Sequence, residues 1–249
     1  MLYSFFNGNL SGRIILDAEE SHHLVSVRRA RVGETVMLLD GRGGKAKALV
    51  ENASAKAATL QVEEFSRMER PNSPVWLAQA MPLGKTMDTI VQKAAELGCE
   101  CVVPLCTERS ELRLDAERTL KKTQKWRTGA LEAIKQCGNP FMPDIVEPCG
   151  LDALFKMTLP PLRLVCSLEE ASLPLLAALK DENAKDGVVL AIGPEGDFSA
   201  AEYAQFREHS FKPVTLGPLV LRADTAAIAS MAIVSEALRF AACPLPYNV

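Results

Sequence analysis

Hydrophobic and polar residues repeat with two different periods along this chain, and the change falls near Pro71–Pro74. Before it, apolar residues come in short runs over Arg13–Leu16, Thr35–Leu39, Ala46–Glu51 and Thr59–Phe65, the length and patterning of half-buried strands. Turn-forming residues separate them: Asn7-Gly8, Asp40-Gly41-Arg42-Gly43-Gly44 and Asn52-Ala53-Ser54. One helical stretch, Ala18–Arg28, interrupts the series. Short strands at this spacing predict a small closed or half-closed β-barrel over residues 1–70.

After the break, strands alternate with longer helical patterns. The strands are Val75–Ala80, Cys101–Leu105, Arg163–Cys166, Val188–Ile192 and Pro213–Leu216; the helices are Thr86–Leu97, Asp115–Gln136, Leu173–Lys180, Ala200–Glu208 and Thr225–Ala242. Such alternation predicts an α/β domain over residues 71–249, with a mostly parallel sheet covered by helices. Val188–Ile192 is wholly apolar, as a strand buried on both faces should be. Ser199-Ala200-Ala201-Glu202 has the spacing of a capping box, so a helix should begin at Ala200.

Composition narrows the class without naming a chemistry. With 249 residues and 48% hydrophobic content the chain can bury a substantial core, and a net charge of −3 offers no global basic excess for nucleic acid. Any RNA-binding surface has to be local. Seven cysteines, at 99, 101, 106, 137, 149, 166 and 243, form no C-x-x-C pair and have no histidine at ligand spacing, which favours reduced thiols and no metal. The first residues carry no basic stretch followed by an apolar one, and no run is long and apolar enough for a membrane span, so the expected location is cytoplasmic.

Candidate chemistry concentrates in two loops, Gly193–Ser199 and Leu216–Thr225, each leaving a buried strand and leading into a helix. Open α/β sheets place ligands there. Both contain Gly-Pro, a pair that lets backbone approach a ligand closely and keeps adjacent N–H and C=O groups aimed. Neither matches a dinucleotide or P-loop pattern, and Glu195 and Asp197 would repel a pyrophosphate. A ligand with a cation and an adenine edge suits them better, since Val220-Leu221 sits apolar within a polar frame. Two tight turns without a ligand remain the alternative.

Taken together, Gly193-Pro194-Glu195-Gly196 with Ser199 and Glu202, and Leu216-Gly217-Pro218-x-Val220-Leu221-Arg222-x-Asp224-Thr225-Ala226, resemble the signature of the RsmE family of SPOUT methyltransferases. The likeness continues through His23-Leu24, Arg29, Gly33, Lys85, Gln92-Lys93, Glu96-Leu97-Gly98, Glu108-Arg109-Ser110, Trp126, Glu132-Ala133, Gln136 and Pro143. The resemblance implies an N-terminal PUA-like barrel that grips RNA and a C-terminal SPOUT-type parallel sheet tied into a deep trefoil knot. It further implies S-adenosylmethionine (SAM) as cofactor, a homodimer, and methylation of the N3 of a uridine in the 16S rRNA of the small ribosomal subunit. Ile192, Gly193, Glu195, Gly196, Leu216, Gly217, Val220, Leu221 and Ala226 would then surround the cofactor, with Glu195 toward its positive end. The chain departs from the family pattern at Asp197, where glycine is usual, at Leu219, where a basic residue is usual, and at Asp224, one methylene shorter than the usual glutamate. Lys135 and Asn139 stand where glutamate and arginine are common.

Within that reading Arg222 would stabilise negative charge on the uracil oxygens and Asp224 would orient the base or accept the imide proton. The plain alternative for this pair is an aspartate placed favourably at a helix start. Arg28, Arg29, Arg31 and Arg109 are candidate RNA contacts, with Arg42 and Lys45 on the glycine-rich hairpin as additions; a solvated basic face is the alternative. The last helix is apolar on most sides and needs cover from the sheet or a second subunit. A ribosome assembly factor that kept the fold and lost turnover is the competing function.

Overall fold

The computed structural model describes residues 1–110, 115–169 and 171–242, with side chains through Arg239; Cys243 lies outside the described residues. The chain divides into two units, Met1–Arg70 together with Leu131–Met142, and Pro71–Ala130 together with Pro143–Val249.

In the first unit β1 (Leu2–Phe5), β2 (Arg13–Ile15), β3 (Thr35–Leu39), β4 (Gly44–Asn52) and β5 (Thr59–Arg67) form one sheet in the order β1-β3-β4-β5-β2. Only the β1–β3 pair is parallel. The edges β1 and β2 do not pair with each other among the described residues, so the sheet is not closed into a full ring. Along β4 the residues Ala46, Ala48 and Val50 are buried while Lys45, Lys47 and Leu49 are half-exposed, the period-two pattern of a strand with one face on a core. That core includes Ile14, Leu24, Val36, Leu38 and Leu60.

The stretch expected as one helix over Ala18–Arg28 is α-helical only in α1 (Ala18–His22), capped by the Asp17 carboxylate on the Glu20 N–H. His23–Val27 widens into a π-turn, in which the Arg28 N–H reaches back to the His23 carbonyl. Leu131–Met142 joins this unit partly through Lys135. Its buried ammonium meets Glu20 at 2.5 Å and Glu132 at 2.7 Å, while Glu20 also accepts from the Ser4 hydroxyl at 2.6 Å.

The second unit is a seven-stranded, fully parallel sheet. Its elements in chain order are β6 (Val75–Ala80), α2 (Thr86–Glu96), β7 (Cys101–Leu105), α3 (Ala116–Cys137), β8 (Asp144–Ile145), α4 (Leu151–Phe155), β9 (Leu162–Cys166), β10 (Leu173–Pro174), α5 (Leu175–Ala178), β11 (Val188–Ile192), α6 (Ala200–Glu208), β12 (Lys212–Thr215) and α7 (Ala223–Ala242). α3 continues into the first unit's share of the chain. The strand order is β10-β12-β9-β11-β6-β7-β8, with the wholly apolar β11 buried at all five positions.

The helix expected over Leu173–Lys180 is instead a two-residue strand and a single helical turn. Pro174 explains the difference, since a proline disfavours helical backbone in the residue before it and starts a helix better than it continues one. Among the described residues no helix is long and apolar enough to cross a membrane.

Candidate active site

The loops after β9, β11 and β12 leave the sheet at the carboxyl ends of neighbouring parallel strands, where such sheets form a crevice. A cleft of about 290 Å³ lies there, lined by both loops singled out in the sequence and by the first residues of α7. Ile192, Gly193, Glu195, Leu216, Gly217, Val220, Leu221, Arg222 and Ala226 all reach it. Gly196 and Asp224 do not line it. Cys166, Ser167 and Leu168, from the end of β9, do, although no motif marks them in the sequence; only the strand order places β9 between β11 and β12.

The loop after β11 is held from several sides. Gln79 of β6, fully buried, directs its amide nitrogen toward the carbonyls of Ala80 (2.8 Å), Gly193 (3.4 Å) and Ile192 (3.5 Å). The Glu195 carboxylate accepts the Leu83 N–H at 3.1 and 3.2 Å. Arg109 donates to the Gly196 carbonyl at 2.7 Å and the Phe198 carbonyl at 3.4 Å. The Ser199–Glu202 capping box is present with both halves formed, and the second oxygen of Glu202 accepts the Glu108 N–H at 2.8 Å, so the helix cap also anchors the Glu108–Ser110 turn.

Asp197 takes a left-handed backbone conformation (φ 59°), which explains why glycine suits this position and why aspartate, among the side chains that tolerate it, can replace it. Its Oδ1 accepts the Phe198 N–H and the Tyr203 hydroxyl, each at 2.8 Å. A side chain at Gly193 would place its Cβ 2.9 Å from that oxygen, so Gly193 provides the room in which Asp197 folds back. Burial, with the Asp197 carboxylate close by, raises the Tyr203 hydroxyl well above its ordinary pKa. The Cys166 thiol is pushed up to about 12, by burial first and Asp197 second.

The loop after β12 is held by far less. Thr215 exchanges two hydrogen bonds with the Gly217 backbone, at 3.0 and 3.2 Å, and Leu219 and Val220 remain 74% and 78% exposed. The Arg222 side chain is exposed and lies 3.6 Å from Asp224, whose carboxylate accepts the Thr225 N–H at 2.8 Å. α7 starts at Ala223, two residues earlier than the pattern predicts, so Asp224 sits in its first turn, where a negative charge is favourable.

Of the four arginines read as RNA contacts, Arg28, Arg29 and Arg31 are exposed around the π-turn of the first unit, with Arg29 itself left-handed (φ 61°) and Arg28 donating to His23 at 3.2 Å. Arg109 belongs to the second unit and spends donors on the Gly193–Ser199 loop. Among the described residues no group of three or more His, Cys, Asp or Glu is arranged to hold a metal.

Comparison with known proteins bears on both units. A family described as RNA methyltransferase domain matches residues 68–235, and one described as RNA methyltransferase PUA domain matches residues 16–63. The ribosomal RNA small subunit methyltransferase E of Synechocystis is 31% identical over 231 residues, covering 92% of this chain and 75% of that protein. The chain belongs to the ribosomal RNA small subunit methyltransferase E family.

Two solved structures agree with that assignment. The Legionella pneumophila protein Lpg2936, in complex with its bound cofactor SAM, superposes with a TM-score of 0.87 at 30% identity, over 95% of this chain and 97% of that one. The Neisseria gonorrhoeae methyltransferase E bound to SAM gives 0.85 at 27% identity, over 95% and 97%. In this family's terms the parallel sheet of the second unit is the methyltransferase fold, and the first unit is PUA-like.

Proposed function

We propose that this protein is a SAM-dependent methyltransferase of small-subunit ribosomal RNA and that it methylates the N3 of a uridine in 16S rRNA. The observation that carries the proposal is the convergence of Gly193–Asp197 and Leu216–Arg222, distant in sequence, on one cleft. Its walls suit SAM. Ile192, Leu216, Val220, Leu221 and Ala226 supply apolar surface for an adenine ring, and the Val220 and Leu221 N–H groups have no hydrogen-bond partner among the described residues. Glu195 adds a carboxylate suited to a cationic ligand. The substitutions at Asp197 and Leu219 do not fill the space: Asp197 turns back on Tyr203, and Leu219 is exposed.

When bound, SAM supplies a methyl carbon attached to a positively charged sulfur, the leaving group of an in-line displacement. The chain's own contribution is to align that carbon with the uracil nitrogen and to manage one proton and one developing charge. Arg222 is suited to hold the uracil oxygens as negative charge grows on them, and Asp224, paired with Arg222, to orient the base or accept the N3 proton as the nitrogen–carbon bond forms. Arg28, Arg29 and Arg31 are assigned to RNA phosphates. Arg109, assigned to RNA from the sequence, has a firmer role in bracing the cofactor loop.

The proposal includes a knotted arrangement of the last two loops and a homodimer acting in the cytoplasm. A groove between α5 and α7, lined by the exposed Leu176 with Leu179, Ala232, Ile233 and Ala237, supports a second copy as cover. Incubating the protein with small-subunit particles or their naked RNA and methyl-labelled SAM tests the function. Label recovered at uridine N3 by nucleoside mass analysis supports it, and its absence from both substrates overturns it. A monomer by analytical ultracentrifugation at micromolar concentration removes the dimer.

A further inference from the structure

The hairpin turn between β3 and β4 gathers two arginines around one buried carboxylate. Asp40 has a side chain only 2% exposed, and its carboxylate accepts the N–H groups of Arg42 (2.7 Å) and Gly44 (2.8 Å). Those bonds close the turn. The same carboxylate nevertheless also draws in two guanidiniums, Arg67 at 3.2 Å and Arg42 at 4.0 Å, whose side chains stay 56% and 58% exposed. Arg42 is further fixed by Asn7 (3.3 Å) and the Gly8 carbonyl (3.4 Å), and Arg67 by the Arg42 carbonyl (3.3 Å). Two cations are therefore held in place while still facing water, with one buried carboxylate between them.

Aromatic surface lies beside them. The Arg67 guanidinium stands 5.9 Å from the ring centre of Phe65, which is 51% exposed at a position where a strand would ordinarily show a polar residue. The close approach that assembles this surface needs Gly43, where a Cβ would fall 2.3 Å from the Met68 carbonyl oxygen and 2.8 Å from Phe141.

We infer that Phe65 with the Arg42–Arg67 pair is a binding site for an unpaired RNA segment, the ring and guanidinium plane stacking a splayed base and the arginines taking adjacent phosphates. Guanidinium forks match phosphate oxygens, and aromatic stacking is how single-stranded RNA is commonly held without reading duplex grooves. Pre-orientation by Asp40 lowers the ordering cost of two long side chains. The inference rests on the RNA-methylation reading for its choice of partner. It concerns the first unit alone.

Fluorescence anisotropy with a short uridine-rich single-stranded RNA, and with the same strand annealed to its complement, tests it in the full chain. Phe65→Ser is expected to weaken single-strand binding about tenfold, with a much smaller change for the duplex, and Phe65→Tyr to restore it. Arg42→Gln is expected to weaken binding severalfold and to reduce the salt slope by about 1. SAM affinity by calorimetry and the melting temperature should match wild type in the Phe65 variants. Equal binding of both RNAs by Phe65→Ser and wild type overturns the site and leaves the patch to a protein partner. If wild type transfers no methyl group to small-subunit RNA but Phe65→Ser still loses single-strand affinity, the proposed function fails and this site stands. If transfer and RNA affinity are both unaffected in Phe65→Ser, the function stands and the site falls.

Discussion

The two loops that line the cleft are opposites in how they are held. Gly193–Ser199 is braced by Gln79, Leu83, Arg109, Tyr203 and a reciprocal helix cap, whereas Leu216–Arg222 rests on Thr215 and presents Leu219 and Val220 to solvent. One wall is fixed by the protein's own hydrogen bonds; the other has few and is free to adapt to what it binds. A preformed wall lowers the cost of binding, and an adaptable one can close only over a correct complex, which suits transfer of a methyl group from a small donor to a large nucleic acid. On the proposed function, the first loop is then the preformed part of the cofactor site, while the second offers apolar surface to the adenine and carries Arg222 for the chemical step.

That division makes unequal predictions. Arg222→Ala, on the adaptable wall, should lower methyl transfer about a hundredfold or more while SAM affinity by calorimetry stays within about twofold, the signature of a group that acts on developing charge. Comparable loss of affinity and turnover would mean that Arg222 also holds the cofactor. Arg109→Ala removes the donors to the Gly196 and Phe198 carbonyls and should weaken SAM binding about tenfold, with a smaller change in turnover at saturating SAM. Arg109→Lys should recover part of that affinity, since one ammonium can reach one carbonyl but cannot reproduce the planar fork.

How much of this was legible in the sequence follows the range of the interactions. β11 could be read because a strand buried on both faces must be apolar throughout, and the cap at Ser199 because its two partners lie three residues apart. The apolar residues of Leu173–Lys180 suit a helix, but Pro174 keeps one from running through that point. The pairing of Lys135 with Glu20, 115 residues away, joins Leu131–Met142 to the first unit, and no local pattern reports such a partner. Arg109 shows a different limit. A sequence gives the charge of an arginine but not whether its donors meet phosphate or a nearby carbonyl. The end of β9 lines the cleft through strand order alone, since Cys166-Ser167-Leu168 carries no signature of its own.

The crowding between Gly193 and Asp197 permits a finer test of the braced loop. Gly193→Ala brings a methyl group to 2.9 Å from Asp197 Oδ1 and 3.3 Å from its Cα, so SAM affinity should fall severalfold. Asp197→Gly removes the nearer atom and relieves the left-handed aspartate, at the loss of the Tyr203 hydrogen bond, and alone should change affinity little. In the double variant the cost of Gly193→Ala should shrink. Additive effects would show that the two positions are not coupled as the geometry requires.

The smallest expected effect is the most direct probe of whether the first wall exists before ligand binding. Cys166 lines the cleft beside that wall, and its thiol is pushed up to about 12 by burial and by the Asp197 carboxylate. The sign is straightforward: both causes disfavour the thiolate, so the sulfur stays protonated through the neutral range and ionises only as pH approaches that value. At pH 8 about one thiol in ten thousand would be the reactive anion. Iodoacetamide at that pH should therefore modify exposed Cys137 first and leave Cys166 untouched in the folded protein, with or without SAM, as read by peptide mass mapping. Denaturant should abolish the difference. Rapid labelling of Cys166 without ligand, suppressed when SAM is added, would show that the braced loop opens in the resting protein and that both walls, not one, are completed by the ligand.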